Sequence, residues 1–404
     1  MKPNMNKSLY LFAHGEYQRF FIVRVSDSER LSYSHKFFDS MKKILPAILI
    51  ALAAVSCKEA IPQFEQTVRA PLGDIRALYI GLGHNMWCDW PTPMMGATPE
   101  EGVQLIPEKR RPDLELRCRD EYWKEVTDYA ASRGLNMLVV DLGEGLFYPS
   151  HPELAIEGTW SVEKMQSEIR RLNALGFEVV PKLNFSNTHN GWMKGYRHMV
   201  SSPEYYKMCS DVIADAYEIF GHPRFFHIAY DEENQRIQRH SYYRCERREE
   251  FWWNDFLYII SCVESHDGCR PWVWSDYGWY HEDYAERCPK SVVQQNWFYD
   301  EELGGFDIEK NETSDKNILK LFFSLKEKGF DQVPCSTIWR SAKHVENDLS
   351  ADYLMKGLVQ MCRKDINDEH LWGFMMAPWS NCATERGRDN QKHGIDVFVE
   401  ALER

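Results

Sequence analysis

From about residue 75 the chain alternates short apolar runs with longer amphipathic stretches. Runs rich in Val, Ile, Leu and Phe fall near 76–83 (RALYIGLG), 136–142 (NMLVVDL), 177–184 (FEVVPKLN), 224–231 (RFFHIAYD), 271–276, 292–297, 331–339 and 371–378. Continuous apolar runs of this length predict strands covered on both faces. Between them, apolar residues recur at three- and four-residue spacing. This predicts helices over 120–133, 161–175, 202–220, 247–265, 316–328, 351–363 and 391–403, with a short one near 281–287. Gly134, Gly176, Gly221 and Gly268 follow four of these stretches, as helix-stopping residues should, and Ser161 stands where an N-cap is needed.

Eight such units predict an α/β chain folded as one (β/α)8 TIM barrel over 58–404. The competing arrangement is a doubly wound open sheet. No Gly-rich phosphate loop follows the first strand, however, and neither a dinucleotide nor a Walker pattern occurs.

The segment upstream carries a different signal. Met41-Lys42-Lys43 precede an apolar run from Ile44 to Val55, then Ser56-Cys57. A basic start, an apolar run too short to span a bilayer and small residues before a Cys predict a bacterial lipoprotein signal, lipidated at Cys57. A buried helix is the other reading of that run. Residues 1–40 lack periodicity, so translation is expected to start at Met41 and residues 1–57 to contribute nothing to the fold. The protein is then expected to be exported, to the periplasm or outer membrane, and to touch a membrane only through its anchor.

Charge narrows the partners. A formal net charge of −13 argues against nucleic acid and anionic membranes, which call for a Lys and Arg surplus. Fourteen Trp and 20 Tyr exceed what a core needs, and indole and phenol rings stack well on sugar C–H faces. The 11 cysteines include no CxxC and no zinc-type cluster, so neither metal nor cofactor is expected. Cys209, Cys262 and Cys362 fall in helical stretches as buried thiols. Cys88, Cys118 and Cys382 fall in loops, where an oxidising compartment permits a disulfide.

In a barrel the active site lies at the C-terminal strand ends. The residues standing there are His84, Asp141, Asn184 and His189, then Asp231, Glu232 and Glu233, then Trp274 and Asp276, Trp297 and Tyr299, Trp339, and Trp379. Acids and rings converging at one mouth suit a saccharide. Glycosidic cleavage needs one carboxyl group to protonate the leaving oxygen and another group to meet the oxocarbenium charge. Adjacent acids raise one another's pKa, which keeps a proton available. On a regular strand Asp231 and Glu233 share a side, and the parity holds only as far as the strand stays regular before the chain turns.

His227-Ile228-Ala229-Tyr230-Asp231-Glu232 resembles the His-x-Gly-Gly-Asp-Glu strand of family 20 β-N-acetylhexosaminidases. Residues 176–184 followed by His189 are similar to that family's third-strand pattern, Trp274-Ser275-Asp276 to its fifth, and Gly373 to Trp379 to its last. The resemblance implies a retaining, substrate-assisted glycosidase without a cofactor. Glu232 would be the general acid, Asp231 the residue orienting a 2-acetamido group, and Tyr299 the phenol touching the acetamido oxygen. Both motif glycines are Ala229 and Tyr230 here, Gly83 stands where the family has a sugar-gripping Arg, and Lys182 and Asn184 replace two acids. Two alternatives follow from the residues: a non-catalytic glycan-binding barrel, and a metal-assisted deacetylase using His84, Asp141 and His189.

Overall fold

A computed structural model describes residues 61–91, 99–239, 241–299, 315–338 and 351–403. The expected signal segment with Cys57, and Trp339, lie outside the described residues. The eight strands are β1 (Ile75–Gly81), β2 (Met137–Asp141), β3 (Glu178–Lys182), β4 (Phe225–Ala229), β5 (Arg270–Trp274), β6 (Val293–Gln295), β7 (Cys335–Ser336) and β8 (Gly373–Met376). All pair in parallel, in the order β6-β5-β4-β3-β2-β1-β8-β7. Parallel bridges Gln294↔Gln332 and Trp297↔Cys335 join the two ends, so the sheet closes as the eightfold pattern requires.

Each strand divides its side chains by period two. Ala77, Tyr79, Met137, Val139, Val180, Phe225, Trp272, Trp274 and Val293 fill the barrel interior. Their neighbours Leu78, Ile80, Leu138, Val140, Val179, Phe226 and Val273 pack outward against the helices. The outer layer includes Asp120–Ser132, Val162–Ala174, Pro203–Ile219, Glu250–Glu264, Asp315–Glu327, Tyr353–Asp365 and Glu385–Glu403. Ser161 caps the second of these through Lys164 N, as its position predicts. The last helix begins at Glu385, six residues before the expected 391, because Gly387 and Gly394 are tolerated inside it. Gly387 fits there by close approach: a Cβ would lie 2.1 Å from Asn381 O.

The strand parity also selects the inward polar groups. Asp141, Lys182 and Gln295 end β2, β3 and β6 on the interior face, above the apolar layers. The ten described cysteines are all free, including Cys88, Cys118 and Cys382. No helix among the described residues is long and apolar enough to cross a membrane.

Candidate active site

The end of β4 departs from regular strand geometry. Pairing with β5 shifts register between His227 and Ala229. Ala229, Tyr230 and Glu232 then adopt positive φ of 55°, 77° and 55°. L-residues enter this region at a cost that glycine avoids. The two positions where the resembled motif has glycine are therefore those where the backbone turns left-handed, although side chains occupy them here.

Those side chains are anchored. Tyr230 packs edge-on against Trp252 and Phe256, with the Arg247 guanidinium 4.7 Å from its ring centroid. Arg247 also bonds Glu233 through Nη2 at 2.5 Å and Nε at 2.8 Å, and Asp255 through Nη1 at 2.9 Å. Glu233 is thus held in a buried ion pair and also accepts the Asn187 amide at 3.1 Å, which corrects its place among the substrate-facing residues. The acid that joins Asp231 is its neighbour Glu232.

His189 brings these two acids together. Its Nε2 lies 3.2 Å from Glu232 Oε2 and 3.4 Å from Asp231 Oδ2. Burial opposes a charged imidazole, but the two carboxylates outweigh it and push His189 up to about 10. Burial likewise opposes an ionised Asp231. His189, Lys182 and the amide of Asn184, which donates to Oδ1 at 2.8 Å, outweigh it and hold the carboxyl below its usual range. Glu232 is the more open acid, its side chain 32% exposed. The donor atoms of His189, Asp231 and Glu232 lie within 4.8 Å of one another.

A third carboxyl group closes the cluster from β5. Asp276 accepts the Glu232 amide at 2.8 Å and faces Trp297 Nε1 at 3.4 Å. Burial first, then Asp231 and Glu232, push Asp276 up to about 8. Beneath lies His227, which accepts the Ala229 amide at Nδ1 and therefore donates from Nε2 to Gln295 Oε1 at 2.7 Å. Burial and nearby Lys182 press its pKa down to about 3, so it stays neutral.

The remaining candidates separate into rings and floor. Trp297 meets Tyr299 at 4.6 Å and Trp279 at 4.3 Å, and Tyr299 reaches Cys335 Sγ at 3.8 Å. Trp379, itself at positive φ, meets Tyr79 at 4.7 Å and Trp274 at 6.0 Å. Trp274 is fully buried inside the barrel, with an indole N–H that finds no partner among the described residues. Asp141 is not open to substrate: Lys182 Nζ donates to it at 2.5 Å and Tyr79 OH at 2.9 Å, making a buried floor pair. His84 does not join the cluster either; its own amide bonds Glu144, and its buried Nε2 has no partner among the described residues. The trio His84, Asp141 and His189 is accordingly not assembled as a metal site. Sequence reasoning places Trp87 in the loop after the first strand without giving it a role, reads the basic run holding Arg247 as a solvated face, although Arg247 is buried, and passes over Tyr79, whose inward position on β1 is a usable signal.

These observations define the class: a (β/α)8 barrel whose mouth gathers a histidine-bridged acid pair and a ring-lined wall. No protein-family model matches the chain, and no curated protein matches it by sequence. Solved structures do match in fold. The β-N-acetylhexosaminidase from Bacteroides fragilis aligns with TM-score 0.53 and 14% identity, over 81% of this chain and 66% of its own. The exo-β-N-acetylglucosaminidase of glycoside hydrolase family 20 from Vibrio harveyi aligns with TM-score 0.51 and 12% identity, over 82% and 54%. The family 20 β-N-acetylhexosaminidase from Streptomyces coelicolor aligns with TM-score 0.50 and 13% identity, over 69% and 60%. The chain is a distant structural match to family 20 β-N-acetylhexosaminidases, and spans less than two thirds of the length of these structures.

Proposed function

We propose that this protein is a glycoside hydrolase that cleaves a glycan by carboxylate general acid catalysis, with Glu232 as proton donor and Asp231 as its partner. The observation that carries this reading is the His189-bridged pair at the end of β4, beside the rings of Trp297, Tyr299 and Trp379. Glu232 passes a proton to the glycosidic oxygen as the bond to the anomeric carbon breaks. On a 2-acetamido sugar, the substrate's own carbonyl oxygen closes on that carbon, and ionised Asp231 holds the amide N–H and meets the positive charge. Water then opens the intermediate with Glu232 taking back a proton, so configuration is retained. Asn184 orients Asp231, while Asp276 assists as a neutral acid beside the pair. The protein's partner is an oligosaccharide or polysaccharide.

Aryl glycosides with and without a 2-acetamido group test the reading. The acetamido substrate is expected to be cleaved, and Glu232→Gln to lower turnover roughly 10²–10⁴-fold. Unchanged turnover in that variant overturns the assignment. A second reading, a glycan-binding protein without turnover, is favoured by the floor. There Lys182, Asp141 and Tyr79 satisfy one another, where the resembled family grips the sugar. Saturable sugar binding with no hydrolysis would select it. Export and a lipid anchor at Cys57 belong to the same proposal; labelled palmitate should enter the wild type and not Cys57→Ala.

A further inference from the structure

The first βα loop is built more firmly than a connection requires. Asn85 is fully buried; its Nδ2 donates to Asp113 O and its Oδ1 accepts Asp113 N, both at 2.8 Å. The buried Glu144 carboxylate accepts the amides of His84 and Asn85 at 2.6 and 3.0 Å. Arg197 Nη1 donates to Cys88 O at 2.6 Å and to Asp89 at 2.9 Å. Gly191 presses so close that a Cβ there would stand 2.2 Å from Asn85 O and 2.5 Å from Cys88 O. Asn85, Met86 and Cys88 are all buried, but Trp87 among them is 39% exposed.

Trp87 does not lie idle on the surface. Its ring centroid is 6.1 Å from His189 at 81° and 6.4 Å from Trp379 at 69°. Both contacts are perpendicular, and no described ring lies parallel on the indole. Since His189 holds Glu232, this indole stands beside the proposed proton donor.

We propose that Trp87 is a stacking platform for the saccharide unit on the leaving side of the scissile bond, so that the site selects neutral oligosaccharides over single sugars. The inference rests on the glycan reading above. An indole held in one orientation loses little side-chain freedom on binding and offers a broad apolar face to sugar C–H groups.

The test uses Glu232→Gln protein, in which turnover is slowed enough for binding to be read, and calorimetric titration with N-acetylglucosamine and its β-linked di-, tri- and tetrasaccharides. Affinity should rise at least tenfold from one unit to two. Trp87→Ala and Trp87→Gln should each remove most of that rise, and Trp87→Phe should keep most of it, all with circular dichroism unchanged. Two side-chain replacements guard against a single variant that misfolds. A rise that persists in both, or no rise with length, overturns the platform while leaving the acid assignment to stand on turnover. Absence of any saccharide binding overturns the platform and the glycan reading together.

Discussion

The backbone amide of Glu232 donates to Oδ2 of Asp276 at 2.8 Å, so the ends of β4 and β5 are tied at the proposed proton donor itself. Asp276 is pushed up to about 8 by burial and by Asp231 and Glu232, and so keeps its proton at neutral pH. Turnover should therefore fall on an alkaline limb centred near pH 8, and Asp276→Asn should abolish that limb. Stability follows the same sign. The folded value lies above the ordinary 3.8, so the contribution is full below about pH 4 and is lost as pH rises through 8. Thermal melts across this range should flatten in the variant. A limb near pH 8 that survives in Asp276→Asn would show that another group controls it.

His189→Gln removes the bridge between the acids. Turnover should drop on the order of 10²-fold or more. Because His189 rises from 6.5 to about 10 on folding, its stabilisation is complete below pH 6.5 and lost as pH passes 10. The stability gap between wild type and variant should accordingly be widest near pH 6 and close toward pH 10. A gap independent of pH would contradict a charged His189.

Arg247→Met leaves Glu233 and Asp255 buried without their partner. Breaking a buried ion pair in this way costs about 3–5 kcal/mol, and adding Glu233→Gln should restore part of it. Urea midpoints of the single and double variants measure both effects.

Gly191→Ala forces a methyl group to within 2.2 Å of Asn85 O. Overpacking of this kind costs about 1–3 kcal/mol, and here it displaces the turn that carries Trp87. A lowered thermal midpoint together with weaker oligosaccharide binding is expected. An unaltered midpoint would mean the loop is more yielding than its contacts indicate.

The barrel was legible in the sequence because its signals are local. The expected strand at 136–142 contains β2, Met137–Asp141, and the helix expected over 120–133 runs Asp120–Ser132, since period and helix-ending glycines do not depend on distant partners. Only two residues of the expected 331–339 strand, Cys335–Ser336, form regular ladder, because this stretch meets residues 294–297 only through the isolated bridges Gln294↔Gln332 and Trp297↔Cys335. At the site, the acids at the end of β4 were visible as composition, but their directions were not. Positive φ at Ala229, Tyr230 and Glu232 overrode the alternation that pairs Asp231 with Glu233. Asp141 and His84 stood at the right strand ends, yet Lys182 and Tyr79 occupied the first, and the second stayed out of the cluster.

By itself the sequence determined which segments are strands and helices, that they close eightfold, and at which strand ends acids and rings collect. These follow from periodicity and turn chemistry, properties of neighbours along the chain. Tertiary structure alone decided which acids face one another. Partners such as His189, Arg247 and Lys182 come from other strands and loops, and a carboxylate's role depends on which cation reaches it first.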